Sequence, residues 1–191
     1  MMSLRTTYHS ALFPPPPSFA ACELHEGRCG IAFVWDAAEG LPPEMLRRAD
    51  VLYAEPPWRF GYDEFARRAG RPNRMVWKDL MELFGVEVRR SGLPAVVICG
   101  KVARDRLRPD AAVPAWLNGQ ACLACLWKLE IAPGLDATAI LSDLAQRFET
   151  VGDPFCGYGR SARVFAAAGK SYVSTDFSTE CIGRISRMED I

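Results

Sequence analysis

The residues best suited to ligand chemistry lie near the C-terminus of the sequence. Gly157 and Gly159 flank Tyr158, and glycines at this spacing let the backbone approach a ligand where a side chain would clash. The helix predicted to follow them offers free N–H groups at its start. Asp176 comes 17 residues after Gly159, a spacing that places a carboxylate against a ribose diol. Together these residues predict a site for an adenosine-containing cofactor, whereas each alone is more often a structural turn or a helix cap.

The elements around these residues are predicted to form a βαβ unit. Residues 150–153 are typical of a short strand, residues 154–159 of a turn, and residues 160–168 of a helix. A second strand over residues 171–175 ends at Asp176. This order of strand, turn, helix, strand and acid is typical of adenosine-cofactor sites.

A second segment with polar and aromatic side chains is Glu55-Pro56-Pro57-Trp58, which follows a predicted strand over residues 50–54. Two consecutive prolines cannot continue a central strand, because they lack backbone N–H donors. The chain is therefore expected to leave the sheet at the edge where the catalytic loops of open α/β sheets lie. By itself the segment is also consistent with an ordinary loop that packs a tryptophan.

The rest of the pattern predicts an α/β fold. Apolar runs predict buried strands near residues 31–35 and over residues 95–99. Apolar and polar residues alternate near the end of residues 121–132, which favours a more exposed strand that could belong to a hairpin. Helical spacing predicts three further helices, one ending at Arg48, one in the second half of residues 63–84, and one over residues 137–148.

Length and composition predict one globular domain preceded by an arm. The chain has 191 residues, of which 49% are hydrophobic and 24% charged, and these values exclude a disordered or collagenous chain. Four consecutive prolines predict an extended N-terminal arm over residues 1–20, followed by a single domain over residues 21–191. No apolar run approaches the ~18 residues of a membrane-spanning helix, so we expect no membrane partner.

The segment VGDPFCGYGRSARVFAAAGKSYVSTDFSTECI resembles the S-adenosylmethionine-binding motif of amino-group DNA methyltransferases. That motif reads Asp-Pro-Phe, any residue, Gly-Ser-Gly, then a helix and an acid-ended strand. Tyr158 and Arg160 stand where the family has serine and threonine. The resemblance implies a Rossmann-like fold with a mostly parallel sheet and helices on both faces. It also implies that S-adenosyl-L-methionine is bound by Asp153, Pro154, Phe155, Gly157, Gly159 and Asp176.

The segment from Glu55 to Trp58 resembles the catalytic motif of the same family, an Asp, Asn or Ser followed by Pro-Pro and an aromatic residue. The wider string DVLYAEPPWRF is most similar to the DPPW subgroup of adenine methyltransferases. The motif order, catalytic motif first, is that of the beta group. The resemblance implies methyl transfer to an exocyclic amine of nucleic acid, N6 of adenine in DNA, without a metal. The catalytic residues would be Glu55, Pro56, Pro57 and Trp58.

Glu55 is the largest departure from this pattern, because the family has a shorter acid or amide there. One more methylene moves the carboxylate by about 1.5 Å, and misplacements of about 1 Å can lower a rate about a hundredfold. Three readings stay open: the loop accommodates Glu55, the substrate is an unusual amine, or the fold is retained without catalysis. The last reading makes the chain a methyltransferase-like binding module. Methylation of a protein amide is less consistent, because those enzymes have the reverse motif order.

The charge distribution predicts one basic surface. The chain carries 23 Lys/Arg and 23 Asp/Glu in total, but 12 and 6 respectively between Arg59 and Pro109. A solvated helix face explains this excess as well as nucleic-acid binding does. We expect DNA rather than RNA as the partner, a short recognition site, and a protein partner where longer specificity is needed. The candidate phosphate contacts are Arg67, Arg68, Arg71 and Arg74.

The seven cysteines predict a reducing compartment rather than a disulfide scaffold, because their number is odd and small for the chain. Cys122 and Cys125 form a C-x-x-C pair, with Cys22, His25 and Cys29 upstream. A zinc site is conceivable, but the apolar surroundings favour buried thiols, so no metal is predicted. We expect a cytoplasmic protein of a bacterium or of a phage-infected cell.

Overall fold

A computed structural model describes residues 29–59, 61–68, 70 and 74–188, without the side chains of four of them, Phe65, Arg68, Ser186 and Met188. The predicted arm over residues 1–20 lies outside this part of the chain, as do Cys22, His25 and Arg71.

The described strands form one eight-stranded sheet in the order β1-β8-β7-β2-β3-β5-β4-β6. Of these strands, β5 runs against its neighbours, and the other adjacent pairs are parallel. The strands are β1 (Gly30–Val34), β2 (Val51–Ala54), β3 (Ala95–Cys99), β4 (Ala111–Leu117), β5 (Gln120–Trp127), β6 (Leu135–Asp136), β7 (Thr150–Asp153) and β8 (Ser171–Asp176).

Helices cover both faces of this sheet, each with its own apolar core. One core contains buried residues of α5, α6 and α7, and the other contains residues of α1, α2, α3 and α4. The mostly parallel sheet with helices on both faces is thus confirmed. The helices are α1 (Pro43–Arg48), α2 (Tyr62–Arg68), α3 (Trp77–Ser91), α4 (Lys101–Leu107), α5 (Ala137–Arg147), α6 (Arg160–Ala167) and α7 (Thr179–Met188).

Strand β3 shows why a uniformly apolar run forms a central strand. Successive side chains of a strand point to opposite faces. Val96 and Ile98 accordingly enter the core of α5 to α7, while Val97 and Cys99 enter the opposite core. Every residue of β3 is buried, so neither face tolerates a polar residue.

The region from Ala111 to Trp127 agrees with the hairpin that residues 121–132 could form, but not with their expected exposure. A hairpin of β4 and β5 occupies it, and Asn118 and Gly119 form its turn with φ of 50° and 76°. Asn-Gly is the preferred pair for such a turn. The expected exposure is wrong, because β5 lies between β3 and β4 and buries Trp127 to 1% exposure.

The connections on either side of β2 run in opposite directions. From β7 the chain crosses through α6 to β8, whereas from β2 it crosses through α2 and α3 to β3. These crossover helices lie on opposite faces of the sheet. A crevice therefore opens between β7 and β2 at their carboxyl ends, as at the switch points of other open α/β sheets.

No helix within the described ranges is both long and apolar enough to traverse a lipid bilayer.

Close packing of α3 on α4 gives a first prediction. A Cβ on Gly85 would lie 2.3 Å from the Leu107 carbonyl oxygen, whereas one on Gly183 of α7 would meet only the Arg187 side chain at 3.5 Å. We expect Gly85→Ala to lower the free energy of unfolding by about 1–3 kcal/mol through overpacking. Gly183→Ala should raise it by about 0.5–1 kcal/mol, since alanine favours helix. Denaturant unfolding of both variants measures this difference, and equal effects would contradict it.

Candidate functional site at the carboxyl ends of β2, β7 and β8

Three acidic residues predicted from the sequence meet at this edge of the sheet. Asp176 ends β8 and Asp153 ends β7, while Glu55 directly follows β2. These strands are neighbours, and β2 pairs with β7 so that Leu52 lies beside Gly152. Parallel pairing brings their carboxyl ends to the same edge. The site therefore lies at the crevice between β7 and β2.

The glycine turn is attached to β8 and is open above its first glycine. The Cys156 N–H donates to the Thr175 carbonyl at 3.0 Å, and the Gly159 N–H closes the turn on the Cys156 carbonyl at 2.8 Å. Gly157 and Gly159 have φ of 49° and 78°, which favours glycine. A Cβ built on Gly157 meets nothing within 4 Å among the described residues. The turn thus presents bare backbone to a ligand.

Asp176 connects this turn to the end of β8. Its Oδ2 accepts from the Gly157 N–H at 3.0 Å and its Oδ1 from the Ser178 N–H at 2.9 Å. The residue is 4% exposed. Burial raises the pKa of the Asp176 carboxyl to about 6, although the backbone donors oppose the rise. The carboxyl that was predicted to bind a ribose therefore also shapes the turn.

Asp153 is buried more deeply and has two partners, one in the glycine turn and one in the first turn of α6. Its Oδ1 accepts from the Phe155 N–H at 3.0 Å, and the Ser161 hydroxyl donates to its Oδ2 at 2.5 Å. Burial raises the pKa of the Asp153 carboxyl to about 8, against these two donors. Sequence reasoning missed Ser161, although a hydroxyl in the first turn of the helix was the available signal. The Phe155 contact fixes the start of the glycine turn, and the Ser161 contact ties the start of α6 to the end of β7.

Glu55 is held in place by Tyr53 of β2, the strand that it directly follows. The Tyr53 hydroxyl donates to its Oε1 at 2.5 Å, which is possible because residues i and i+2 of a strand share a face. The Arg160 Nε lies 3.5 Å from the same oxygen. Burial and the Glu55 charge raise the pKa of Tyr53 well above its usual value, so its hydroxyl stays a donor. Sequence reasoning missed this role of Tyr53, which the i, i+2 spacing could have indicated.

The Pro-Pro-Trp loop is fixed by α3 and by the end of β3. The Trp77 indole N–H donates to the Pro57 carbonyl at 2.7 Å. The Trp58 ring lies over Gly100, where an added Cβ would be 3.5 Å from its Cζ3, and the side chain is 42% exposed. An aromatic face thus stands at the same edge of the sheet as Glu55.

Phe155 contributes to the core as well as to the turn. Its ring meets Phe84 of α3 edge to face, with ring centroids 5.0 Å apart, and it remains partly buried against that core. The contact anchors the turn on the side opposite to Ser161, because Phe84 belongs to the core of α1 to α4.

The predicted phosphate contacts have acidic neighbours. Arg67 pairs with Glu64 one helical turn earlier, at 2.7 Å. Arg74 pairs with Asp36 at 3.5 Å and with Glu39. The Arg68 side chain and all of Arg71 lie outside the described residues.

The C-x-x-C pair is divided between the two faces of β5. Cys122 packs in the core of α5 to α7 and Cys125 in the opposite core, where its sulfur lies 3.4 Å from that of Cys99. Two side chains on opposite faces cannot ligate one ion. The described residues contain no group of three or more potential ligands placed to bind a metal.

Comparison with known proteins gives a structural likeness. No protein-family model and no curated protein matches the chain in sequence. A proposed DNA modification methylase of Thermus thermophilus superposes with a TM-score of 0.54 at 12% identity, covering 82% of this chain and 93% of that one. The complex of that methylase with S-adenosyl-L-methionine superposes with a TM-score of 0.52 at 13% identity, covering 82% of this chain and 91% of that one. The crystal structure of M1.HpyAVI superposes with a TM-score of 0.50 at 12% identity, covering 84% of this chain and 98% of that one.

Identities this low establish the fold alone. The prediction of a Rossmann-like methyltransferase fold is confirmed, since the eight-stranded, mostly parallel sheet covered by helices matches that of the methylase.

The buried carboxyls predict a pH dependence of stability. In the unfolded chain both aspartates lose their protons near the ordinary pKa of 3.8. In the folded chain Asp176 keeps its proton up to a pH of about 6 and Asp153 up to about 8. Their contribution to stability is therefore full below about pH 4 and is lost as the pH rises through about 6 and 8. We expect the free energy of unfolding to fall by at least about 1 kcal/mol between pH 6 and pH 8.

Asp153→Asn should flatten this decline, because the amide does not titrate and can still accept from the Phe155 N–H and donate to Ser161. Denaturant unfolding at several pH values measures the slope. Asp105→Asn, at an exposed position of α4, is the control and should keep the wild-type slope. A slope unchanged in Asp153→Asn would show that this carboxyl is not protonated in the folded chain.

Proposed function

We propose that this chain is an S-adenosylmethionine-dependent methyltransferase that acts on an exocyclic amine of DNA, the N6 amine of adenine. The observation that carries the proposal is the meeting of the Asp176-bound glycine turn with Glu55 and Trp58 at one crevice. A cofactor site and an amine-binding loop on adjacent strands are what a direct transfer between two bound ligands requires.

The residues of the turn fit the cofactor. S-adenosylmethionine supplies a methyl group on a positively charged sulfur, ready for attack by a nitrogen. Gly157 leaves space for a ligand against the backbone. Asp176, with Phe155 and Gly159, would bind the adenosine part, and Asp153 would act at the amino-acid end. Because both oxygens of Asp153 already have donors, it would act there mainly by shaping the turn at Pro154.

The loop after β2 would position the amine. The Glu55 carboxylate and the Pro56 carbonyl are acceptors for the two N–H bonds of a planar amine, which directs the nitrogen lone pair toward the methyl donor. Pro57, held by Trp77, would keep the loop in place. The half-exposed face of Trp58 would stack on a base extruded from its helix. The amine proton would leave after transfer, and positioning supplies most of the rate enhancement.

DNA as the substrate is supported by the sequence resemblance and by the structural neighbour described as a DNA modification methylase. Arg67, Arg68, Arg71 and Arg74 are proposed to contact phosphates, which would require Arg67 and Arg74 to exchange their present acidic partners for the backbone of DNA. The proposal includes a short recognition site and a protein partner that supplies longer specificity.

Cofactor binding is tested by calorimetric titration with S-adenosylmethionine and S-adenosylhomocysteine. We expect wild-type binding to weaken at least about tenfold in Asp176→Asn, since the variant loses the charge facing the ribose. Asp176→Ala should bind more weakly still, because the Gly157 N–H loses its acceptor. Asp105→Asn is the control with unchanged affinity. A folded wild-type chain that binds neither ligand would contradict the proposal.

Methyl transfer is tested on adenine-containing and cytosine-containing DNA and on RNA, with the modified bases identified by mass spectrometry after digestion. We expect N6-methyladenine in DNA from the wild type, and a loss of about a hundredfold or more in Glu55→Ala, because the amine loses its acceptor. Activity in Glu55→Asp with none in the wild type would favour the inactive binding module instead. N4-methylcytosine would keep the class of enzyme and correct the base.

A further inference from the structure

The two oxygens of the Glu55 carboxylate have different surroundings. Oε1 accepts from the buried Tyr53 hydroxyl at 2.5 Å and lies 3.5 Å from the Arg160 Nε. Oε2 has no hydrogen-bond partner among the described residues. One oxygen is thus occupied by the protein, and the other remains available to accept an N–H of a ligand.

Arg160 contacts two separate parts of the chain from the start of α6. It is the first residue of α6, directly after the glycine turn. Its Nε faces Glu55 after β2, and its Nη2 donates to the Asn118 Oδ1 at 2.8 Å. Asn118 lies at the tip of the β4–β5 hairpin. With two of its nitrogens engaged by different elements, the guanidinium has little freedom to rotate away from Glu55.

The location of this contact suits the extra length of Glu55. A glutamate side chain has one more rotatable bond than an aspartate, so its carboxylate needs additional contacts to hold one orientation. Tyr53 of β2 supplies one contact and Arg160 of α6 supplies another, and both contacts are made to Oε1. The glutamate and the arginine that depart from the resembled motifs are therefore in contact with each other.

We propose that Arg160, held by Asn118, is a positioning residue that fixes the Glu55 carboxylate so that Oε2 accepts the hydrogen bond of the substrate amine. This inference rests on the proposed function. It assigns Arg160 no contact with the reacting atoms. It explains how a longer acid can serve a site in which the amine must be placed within a fraction of an ångström.

The experiment compares Arg160→Met with Arg106→Met. The second variant breaks the Arg106–Glu82 pair, 2.6 Å long, between α4 and α3. We expect Arg160→Met to lower kcat about tenfold to a hundredfold, with the dissociation constant of S-adenosylmethionine unchanged within about twofold. Arg160→Lys should recover part of the loss, because it restores a charge near Oε1. Asn118→Gly removes the amide at a positive-φ position and should lower kcat in the same direction.

The effect of the Glu55–Arg160 contact on kcat is separated from other effects of Arg160 by repeating the substitution in a Glu55→Asp variant. A shorter acid does not reach the guanidinium in the same way, so adding Arg160→Met to Glu55→Asp should change kcat by less than about twofold. Losses that multiply in the double variant would overturn the proposal. So would full activity of Arg160→Met, or a loss that appears only as weaker cofactor binding.

A measurement without substrate separates this proposal from the proposed function. In protein labelled with ¹³C at glutamate carboxyls, the Glu55 resonance is assigned by its absence in Glu55→Gln. We expect that resonance to move in Arg160→Met and to stay in place in Arg106→Met. An unmoved resonance would overturn the role of Arg160 even if the wild type methylates DNA. A moved resonance in a chain that methylates nothing would support the contact and reject the proposed function.

Discussion

Two buried carboxyls determine the geometry of this site. Asp153 and Asp176 end neighbouring strands, and each accepts two hydrogen bonds from the turn and the residues that follow it. Burying a carboxyl without such donors is costly, so each bond that satisfies it also restricts the backbone around it. The start of α6 is fixed as a consequence, and with it the position of Arg160. Raised pKa values of both carboxyls are the electrostatic cost of this arrangement.

The loop after β2 meets this framework from the other side of the crevice. Glu55 departs from the shorter acid of the resembled motif, but its carboxylate is not left to solvent. Tyr53, 1% exposed, lies beneath it in the same strand, and Arg160 approaches from α6. The extra methylene is thus accompanied by two contacts that a shorter side chain would not make in the same way.

The antiparallel part of the sheet contributes to the same edge. The β4–β5 hairpin extends the parallel strands beyond β3 and turns at Asn118 and Gly119. Because β5 runs against β3, the hairpin turn returns to the carboxyl edge, where Asn118 bonds Arg160. An element that the sequence indicated as an exposed strand, one that could belong to a hairpin, therefore reaches the candidate site.

The sequence by itself determined the local parts of this protein. The strand over Ala95–Cys99, the glycine turn and the acid-ended strand after it depend on neighbouring residues, and their patterns predicted them where the structure has them. Only the tertiary structure decided which distant residues meet. Strand order brings β2 beside β7 and the hairpin tip beside α6, and the pattern within one strand does not encode its neighbours. The contacts of Tyr53, Ser161 and Asn118, and the division of Cys122 from Cys125, followed from packing and register, because these set the face and the edge that each side chain occupies.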